Sequence, residues 1–301
     1  MKKIIGTRGS QLALTQTHWV INELKRYNPD IHFEVEIIKT TGDRVQTKPL
    51  DKIGDKGLFT KEIEEKLLSG AIDIAVHSMK DMPSLMTEGL KFSYVPQRED
   101  ARDVLILRED YKSLEDLPLG AKIATGSKRR KYQLLRYRPD LKIEPIRGNI
   151  DTRIRKIKEE GLDGIVLAAA GIHRMKLEDY ISFYLPIGLM LPAPGQGALA
   201  LEVRVGDTGT EALIQPLHDP VTAVQMRAER AFLKGINGGC HIPVGAYCTI
   251  AKNEIVLDAL FGDEAGKKLL FMSLGGKMEE AEQIGYALAN KMLKEFDKDE
   301  R

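Results

Sequence analysis

Cysteine, tryptophan and an excess of charge of either sign are nearly absent from this 301-residue sequence. It has two cysteines and one tryptophan, and 45 lysines and arginines against 44 aspartates and glutamates leave a formal net charge of +1. Two cysteines cannot build a disulfide framework, and the spacing of Cys240 and Cys248 matches no common zinc pattern. We therefore expect a reducing compartment and no metal. We also expect no nucleic-acid or membrane partner, since the chain has no overall field to hold one.

Long apolar runs and nucleotide-binding motifs are also missing. The N-terminal MKKIIGTRGS turns polar after Ile5, unlike a secretory signal, and no stretch approaches the roughly 20 apolar residues that cross a bilayer. Neither GxxxxGK[ST] nor a GxGxxG following a strand occurs, which argues against nucleotide binding. The sequence thus predicts a cytoplasmic protein.

The remaining composition is that of a folded chain with more than one domain. Apolar residues make up 43% and charged residues 30%, and the length exceeds the roughly 250 to 300 residues at which one core stops growing. Strands alternating with helices predict parallel sheets in the first two thirds. We expect an α/β domain at 1–96 and 193–215, a second α/β domain at 97–192, and an α+β domain at 216–301.

Hydrophobic periodicity places the main elements. The helix after Ser10 is expected to end near Pro29, with Trp19 in its core-facing stripe. Phe59, Ile63 and Leu67 lie on one helical face that ends before Gly70. Strands are expected at 3–5, 33–38, 72–76, 104–107, 122–124 and 165–168. The run ALALEV is expected to return to the first sheet. The last domain should contain helices at 221–233 and 279–293 and strands at 244–250, 255–260 and 269–273.

Arginine follows several predicted strands, together with Gly, Ser or Thr. The segments are TRGS (Arg8, Ser10), ATGSKRR (Thr125, Ser127, Arg129, Arg130) and RGNIDTR (Arg147, Arg153), the last with an N-cap expected at Asn149 or Asp151. In open α/β sheets, ligands bind beyond the carboxyl ends of strands, where helix N-termini attract anions. Any one arginine alone is better explained as a solvated surface charge or as the partner of a neighbouring acidic residue. Their joint placement favours bidentate capture of several carboxylates or phosphates.

The segment HSMKDMP follows the apolar strand at 72–76. Its Asp81, close to Lys80, is a candidate to stabilise a developing cation or to transfer a proton. An Asx-type turn before Pro83 explains the same aspartate equally well. His77, at a strand end, is more typical of a packed histidine than of a base.

The two cysteines differ in context. Cys240 follows two glycines in NGGCHIPVG, where a loop can present the thiol at the surface, so a reactive or modified thiol is one hypothesis and burial the other. Burial suits Cys248, inside a strand-like run, much better. A dyad of Cys240 with His241 is disfavoured because adjacent residues of an extended chain point to opposite faces.

Together these segments resemble the porphobilinogen deaminase (hydroxymethylbilane synthase) family. The likeness runs in order through RGSQLA, DKGLF, DIAVHSMKDMP, REDARD, TGSKRR, RPDL, RGNIDTR, LAAAGI, LPAPGQGA, AERAFL and NGGCHIPVG, nearly the whole chain. The resemblance implies two α/β domains like those of type II periplasmic binding proteins, with the active crevice between them, and a third domain that carries the cofactor. It further implies a cytoplasmic monomer.

The resemblance also implies the chemistry. A covalent dipyrromethane on Cys240 would be the primer to which four porphobilinogen units are added before hydrolysis releases the linear tetrapyrrole, and Asp81 would be the catalytic residue. The residues that the resemblance assigns to cofactor and substrate binding are Arg8, Ser10, Lys56, Ser78, Lys80, Thr125, Ser127, Arg129, Arg130, Arg147, Gly148, Arg153, Arg174 and Gln196.

Two other functions stay open at this point. Two α/β lobes with an arginine-lined cleft also describe a non-catalytic anion receptor or effector-sensing protein. A thiol hydrolase using Cys240 is the other, and it requires a free thiol where the preferred interpretation has a blocked one. The missing secretory signal, the extra C-terminal domain and the loop cysteine favour the synthase.

Overall fold

The computed structural model describes residues 2–44, 59–108, 111, 113–237 and 242–298. It divides the chain into two compact units. Unit one is Met1–Glu99 with Ala198–Val224, and unit two is Asp100–Gly197 with Gln225–Arg301.

The secondary structure alternates as the sequence predicts. The strands are β1 (Lys2–Arg8), β2 (His32–Ile38), β3 (Ile74–Ser78), β4 (Leu90–Phe92), β5 (Asp103–Leu107), β6 (Lys122–Ala124), β7 (Lys142–Glu144), β8 (Gly164–Ala168), β9 (Phe183–Leu185), β10 (Leu199–Arg204), β11 (Val244–Ala251), β12 (Glu254–Gly262) and β13 (Leu269–Lys277). The α-helices are α1 (Gln11–Tyr27), α2 (Thr41–Arg44), α3 (Lys61–Leu68), α4 (Lys128–Tyr137), α5 (Ile150–Glu159), α6 (Ala169–Arg174), α7 (Thr208–Ile214), α8 (Pro220–Gly235) and α9 (Ala281–Lys298).

Unit one is built on a five-stranded sheet in the order β2-β1-β3-β10-β4. Strand β1 runs parallel to β2 and β3, and β10 runs antiparallel to β3 and β4. Successive side chains of a strand point to opposite faces of the sheet, so the sheet contributes to two apolar cores. Val76 and Leu201 face α1, while Ala75 joins the cluster that holds Ile63 and Leu67 of α3. Because β1 and β3 are parallel neighbours, the loops that follow them leave from the same edge.

The first sheet of unit two has the order β7-β6-β8-β5-β9. Strands β6, β7 and β8 are parallel, and β5 is antiparallel to β8 and β9. Helix α5 covers one face through Ile157, and α4 covers the other through Leu134. The register pairs Asp103, the first residue of β5, with Ala168, the last of β8. Asp103 therefore lies at the edge where β6, β7 and β8 end.

The second sheet of unit two is the antiparallel meander β11-β12-β13. Helix α9 lies close against α8, and a side chain at Gly285 would approach the Ala228 carbonyl oxygen to 2.4 Å, so this crossing needs glycine. Cys248 of β11 is fully buried, as predicted.

Several predictions are confirmed and others are wrong. Helix α1 begins directly after Ser10, Gly70 follows the C-cap of α3 with φ +77°, and the ALALEV run returns to the first sheet as β10. The expectation of parallel sheets is wrong for both five-stranded sheets, which are mixed. Trp19 is 42% exposed rather than core. Phe59 precedes α3 instead of lying on its face.

None of the described helices has both the length and the apolar composition that a bilayer span requires. The boundaries of the three predicted domains remain a prediction.

Candidate functional site

Arg8 ends β1 at the loop-bearing edge of unit one. Its Nε donates to Asp43 Oδ1 at 3.2 Å, and its guanidinium lies 4.2 Å from the centroid of the Phe59 ring. Burial raises the pKa of Asp43, but hydrogen bonds from Arg8 and Thr40 outweigh that effect and bring it below its ordinary value. Asp43 is thus a charged partner that holds Arg8 in place.

Ser10 and Ser78 both have structural contacts at this edge. The Ser10 hydroxyl accepts from the backbone N–H of Ala13 at 3.3 Å and caps α1, so the free N–H groups of that helix begin beside the loop. The Ser78 hydroxyl accepts from Gln16 Nε2 at 3.0 Å. Helix α1 therefore fixes the end of β3 on one face of the sheet.

Asp81 lies on a short 3-10 turn, Met79–Asp81, directly after β3. Met79 N–H donates to the carbonyl of Ala198 at 3.0 Å, and Met82 N–H donates to the carbonyl of Met79 at 3.2 Å. Asp81 is exposed, and Lys80 beside it is half-buried. Gly6 of β1 pairs with Ala75 of the parallel strand β3, so Arg8 and His77, two residues further along each strand, lie at the same level. Arg8 and the Asp81 turn thus belong to one edge of unit one.

The ATGSKRR segment joins β6 to α4. Thr125 Oγ1 accepts from the backbone N–H of Ser127 at 3.2 Å, and Ser127 Oγ accepts from that of Arg130 at 3.4 Å. Ser127 is thus the N-cap of α4. Arg129 and Arg130, in the first turn of α4, therefore point inward, toward the start of β5.

Arg129 and Arg130 both bind Asp103, deep in unit two. Arg129 Nη1 donates to Asp103 Oδ2 at 2.8 Å, and Arg130 Nη2 donates to Asp103 Oδ1 at 2.7 Å. Gln196 Nε2 donates to the same Oδ1 at 2.9 Å and to the carbonyl of Ala101 at 2.8 Å. The four residues are 0 to 7% exposed. We call this group the Asp103 cluster.

The Asp103 cluster keeps one formal positive charge, because two guanidiniums share one carboxylate. Burial alone would raise the pKa of Asp103, but the two arginines lower it well below its ordinary value, so the carboxylate stays ionised. Backbone carbonyls take further donors: Arg129 Nη1 donates to Leu191 at 2.7 Å, and Arg130 Nη1 to Val166 at 3.0 Å. Such a cluster is suited to compensation by an anionic ligand.

The RGNIDTR segment leads from β7 into α5. Gly148 has φ +116°, a conformation that favours glycine, and its carbonyl accepts from Arg153 Nε at 2.7 Å. Asn149 is the N-cap position of α5, and Arg147 is half-buried before it.

Arg174 ends α6 and donates from Nη2 to the carbonyl of Gly197 at 2.7 Å, one residue after Gln196. All of these residues follow β7 or β8, at the edge that holds the Asp103 cluster.

Two predicted site residues, Lys56 and Cys240, lie outside the residues that the structure describes. Among the described residues, no three His, Cys, Asp or Glu side chains are placed to bind a metal ion.

Asp103 and Asp43 are the site residues that sequence reasoning missed. Asp103 opens the apolar strand DVLIL, and an aspartate in such a strand signals a buried cationic partner. Asp43 stands in a polar stretch after β2, where no local pattern indicates that Arg8 is its partner.

Comparisons with known proteins bear on the whole chain. A family model described as "Porphobilinogen deaminase, dipyromethane cofactor binding domain" matches residues 4–212, and one described as "Porphobilinogen deaminase, C-terminal domain" matches residues 223–294. Porphobilinogen deaminases from Clostridioides difficile and Clostridium novyi are each 59% identical over 99% of this chain, covering 99% and 100% of their own lengths.

Solved structures overlap less. The aliphatic sulphonate binding protein SsuA from Escherichia coli has 16% identity and a TM-score of 0.43, covering 78% of this chain and 70% of its own. The BenM effector binding domain has 17% identity and a TM-score of 0.43, covering 72% of this chain and 90% of its own.

Proposed function

We propose that this chain, which belongs to the porphobilinogen deaminase family, uses Asp81 as its catalytic carboxylate and holds acid-bearing pyrroles with its arginine-rich loops. The enzyme is a transferase with a dipyrromethane cofactor. It condenses four porphobilinogen molecules with loss of ammonia and releases hydroxymethylbilane. The observation that carries the assignment of Asp81 is that this residue is exposed on the turn beyond β3, at the edge that also holds Arg8.

The residues of unit two fit the cofactor. A dipyrromethane carries acetate and propionate groups, and the Asp103 cluster has a formal charge of one positive unit beside the capped N-terminus of α4. We assign cofactor binding to Arg129, Arg130 and Gln196, and attachment to Cys240. When bound, the dipyrromethane supplies the free α-position to which pyrrole units are added.

Asp81 acts on charge and on protons. Loss of ammonia leaves positive charge on a pyrrole ring of the substrate, and a fixed carboxylate stabilises that charge in the transition state. In this proposal the same carboxylate assists protonation of the leaving amine and removal of the proton from the new carbon–carbon junction. We assign to Lys80, its neighbour on the turn, the attraction of a substrate carboxylate.

The other predicted residues bind the substrate's carboxylates. Arginines suit this role because their planar guanidiniums match a carboxylate in a bidentate way. Helix N-termini capped by Ser10 and Ser127 add favourable dipoles. The residues that we assign to substrate or cofactor contact are Arg8, Ser10, Lys56, Ser78, Lys80, Thr125, Ser127, Arg147, Gly148, Arg153 and Arg174.

We also propose that the enzyme is a cytoplasmic monomer of three domains, at 1–96 with 193–215, 97–192 and 216–301, with no nucleic-acid or membrane partner. The support is the balanced charge and the pair of cysteines that form no disulfide framework.

The assignment of Asp81 is tested with Asp81→Asn, which keeps the side chain's shape and removes its charge. Turnover should fall by about 10²-fold or more, the effect expected of a positioned charge or proton-transfer group, while intact mass shows the cofactor still attached. Asp30→Asn changes an exposed aspartate elsewhere in unit one and should leave turnover unchanged. An Asp81→Asn enzyme with the turnover of the Asp30→Asn control would refute the role.

The anchor is tested by mass spectrometry of Cys240→Ala and Cys248→Ala. Cys240→Ala should lack the two-pyrrole increment, and Cys248→Ala should retain it because its thiol is buried in β11. Recovery of the increment in Cys240→Ala would overturn the attachment site.

A further inference from the structure

A histidine and a glutamate lie together inside unit one with no role in the chemistry above. His77 Nε2 of β3 is 3.3 Å from Glu202 Oε2 of β10, and the two side chains are 5% and 0% exposed. Among the residues that the structure describes, neither His77 Nε2 nor either carboxylate oxygen of Glu202 has a partner in a well-formed hydrogen bond. Each side chain is therefore the other's main polar neighbour.

Stability alone does not explain this pair. A buried carboxylate loses its hydration, and replacing a buried ionic pair by well-packed apolar side chains is often neutral or stabilising. Removing only one partner, by contrast, leaves a buried polar group without compensation. What a buried pair can supply is a directional contact that favours one arrangement of the strands that carry it.

The pair lies next to the turn that carries Asp81. Strands β3 and β10 are antiparallel, with Glu202 opposite Ala75 and Ala200 opposite His77, so both polar side chains face the α3 side of the sheet. Ser78, the next residue, faces α1 and binds Gln16. One residue later, Met79 N–H donates to the carbonyl of Ala198 and the 3-10 turn begins.

We propose that His77 and Glu202 are positioning residues that set where β3 ends against β10 and hence where Asp81 lies. The inference rests on the proposed catalytic role of Asp81. The strand end is then held from both faces, by Ser78 and Gln16 toward α1 and by the His77–Glu202 pair toward α3. Two apolar side chains in place of this pair would fill the same space but would make no directional contact.

The test replaces both partners at once, with His77→Leu and Glu202→Met in the loaded enzyme. Each single change should lower the melting temperature and turnover. The double variant should regain most of the melting temperature, yet kcat should stay down by at least about tenfold with KM within about threefold, because small displacements of a reacting group are costly. A double variant with restored melting temperature and wild-type kcat would show that the pair is only structural.

The control is a variant that should destabilise the same strand without altering the His77–Glu202 pair. Val203→Ala removes two buried methyl groups from β10 on the opposite face and should lower the melting temperature without changing kcat. If the double variant is insoluble, Glu202→Asp decides, since it keeps the charge but draws the carboxylate away from His77. A wild-type kcat in folded Glu202→Asp overturns the proposal, and a loss of about fivefold or more supports it.

Repeating the double change in an Asp81→Glu background separates the two proposals. If the pair acts through Asp81, replacing it changes the residual kcat of Asp81→Glu by less than about threefold, because coupled residues are not additive. A full tenfold further loss refutes positioning while leaving the role of Asp81 intact. The role of Asp81 itself is decided separately by Asp81→Asn, and wild-type turnover in that variant refutes it.

Discussion

Asp103→Asn is the change whose energetic effect follows most directly from the structure. The asparagine has nearly the same volume and can still accept hydrogen bonds at one oxygen, but it leaves Arg129 and Arg130 as two buried cations with no anion between them. Removing one partner from a buried ion pair costs about 3 to 5 kcal/mol, and two cations depend on this carboxylate. We expect the free energy of unfolding to fall by at least about 3 kcal/mol.

Urea-induced unfolding followed by circular dichroism measures the loss. Glu159→Gln is the matched control, because it breaks an exposed pair with Arg155 on α5 of the same unit. That pair should contribute less than about 0.5 kcal/mol. Equal stability of the two variants would contradict the role of Asp103 as the anion that compensates the two arginines. Intact mass should also show reduced cofactor loading in Asp103→Asn, since the change disturbs the cluster to which we assign cofactor binding.

Two further outcomes follow from the same unit. The pKa of Asp103 is lowered on folding, so its contribution to stability should be complete above about pH 4, the ordinary aspartate pKa, and decline as the pH falls further. The difference in unfolding free energy between wild type and Asp103→Asn, measured from pH 7 to pH 3, should therefore be constant at first and then shrink. A difference that grew in acid would contradict the assignment. Gly148→Ala should lower the free energy of unfolding by about 1 to 3 kcal/mol, because φ is +116° and the new Cβ would lie 2.7 Å from Thr152 Cγ2. Gly188→Ala, with open space around it, should leave stability nearly unchanged. Equal melting temperatures for the two variants would show that the RGNIDTR turn tolerates a side chain.

The order of most helices and strands could be predicted from the amino-acid sequence alone, and so could the loops that we propose bind the substrate. Periodicity located β2, β6 and α1 because burying one face of a strand or helix requires a regular apolar spacing. Local patterns likewise located the N-cap position Asn149 and the glycine Gly70 after α3, because capping depends on residues within a few positions of the helix end.

Only the tertiary structure decided the strand directions and the long-range pairs. Periodicity is the same in parallel and antiparallel strands, so the sequence pattern could not reveal that β10 and β5 run against their neighbours. The exposure of Trp19 and the partners of Arg8, Arg129 and His77 were hidden for a related reason. Those partners lie 35, 26 and 125 residues away along the chain, and which charge meets which is set by how the sheets bring distant strands together.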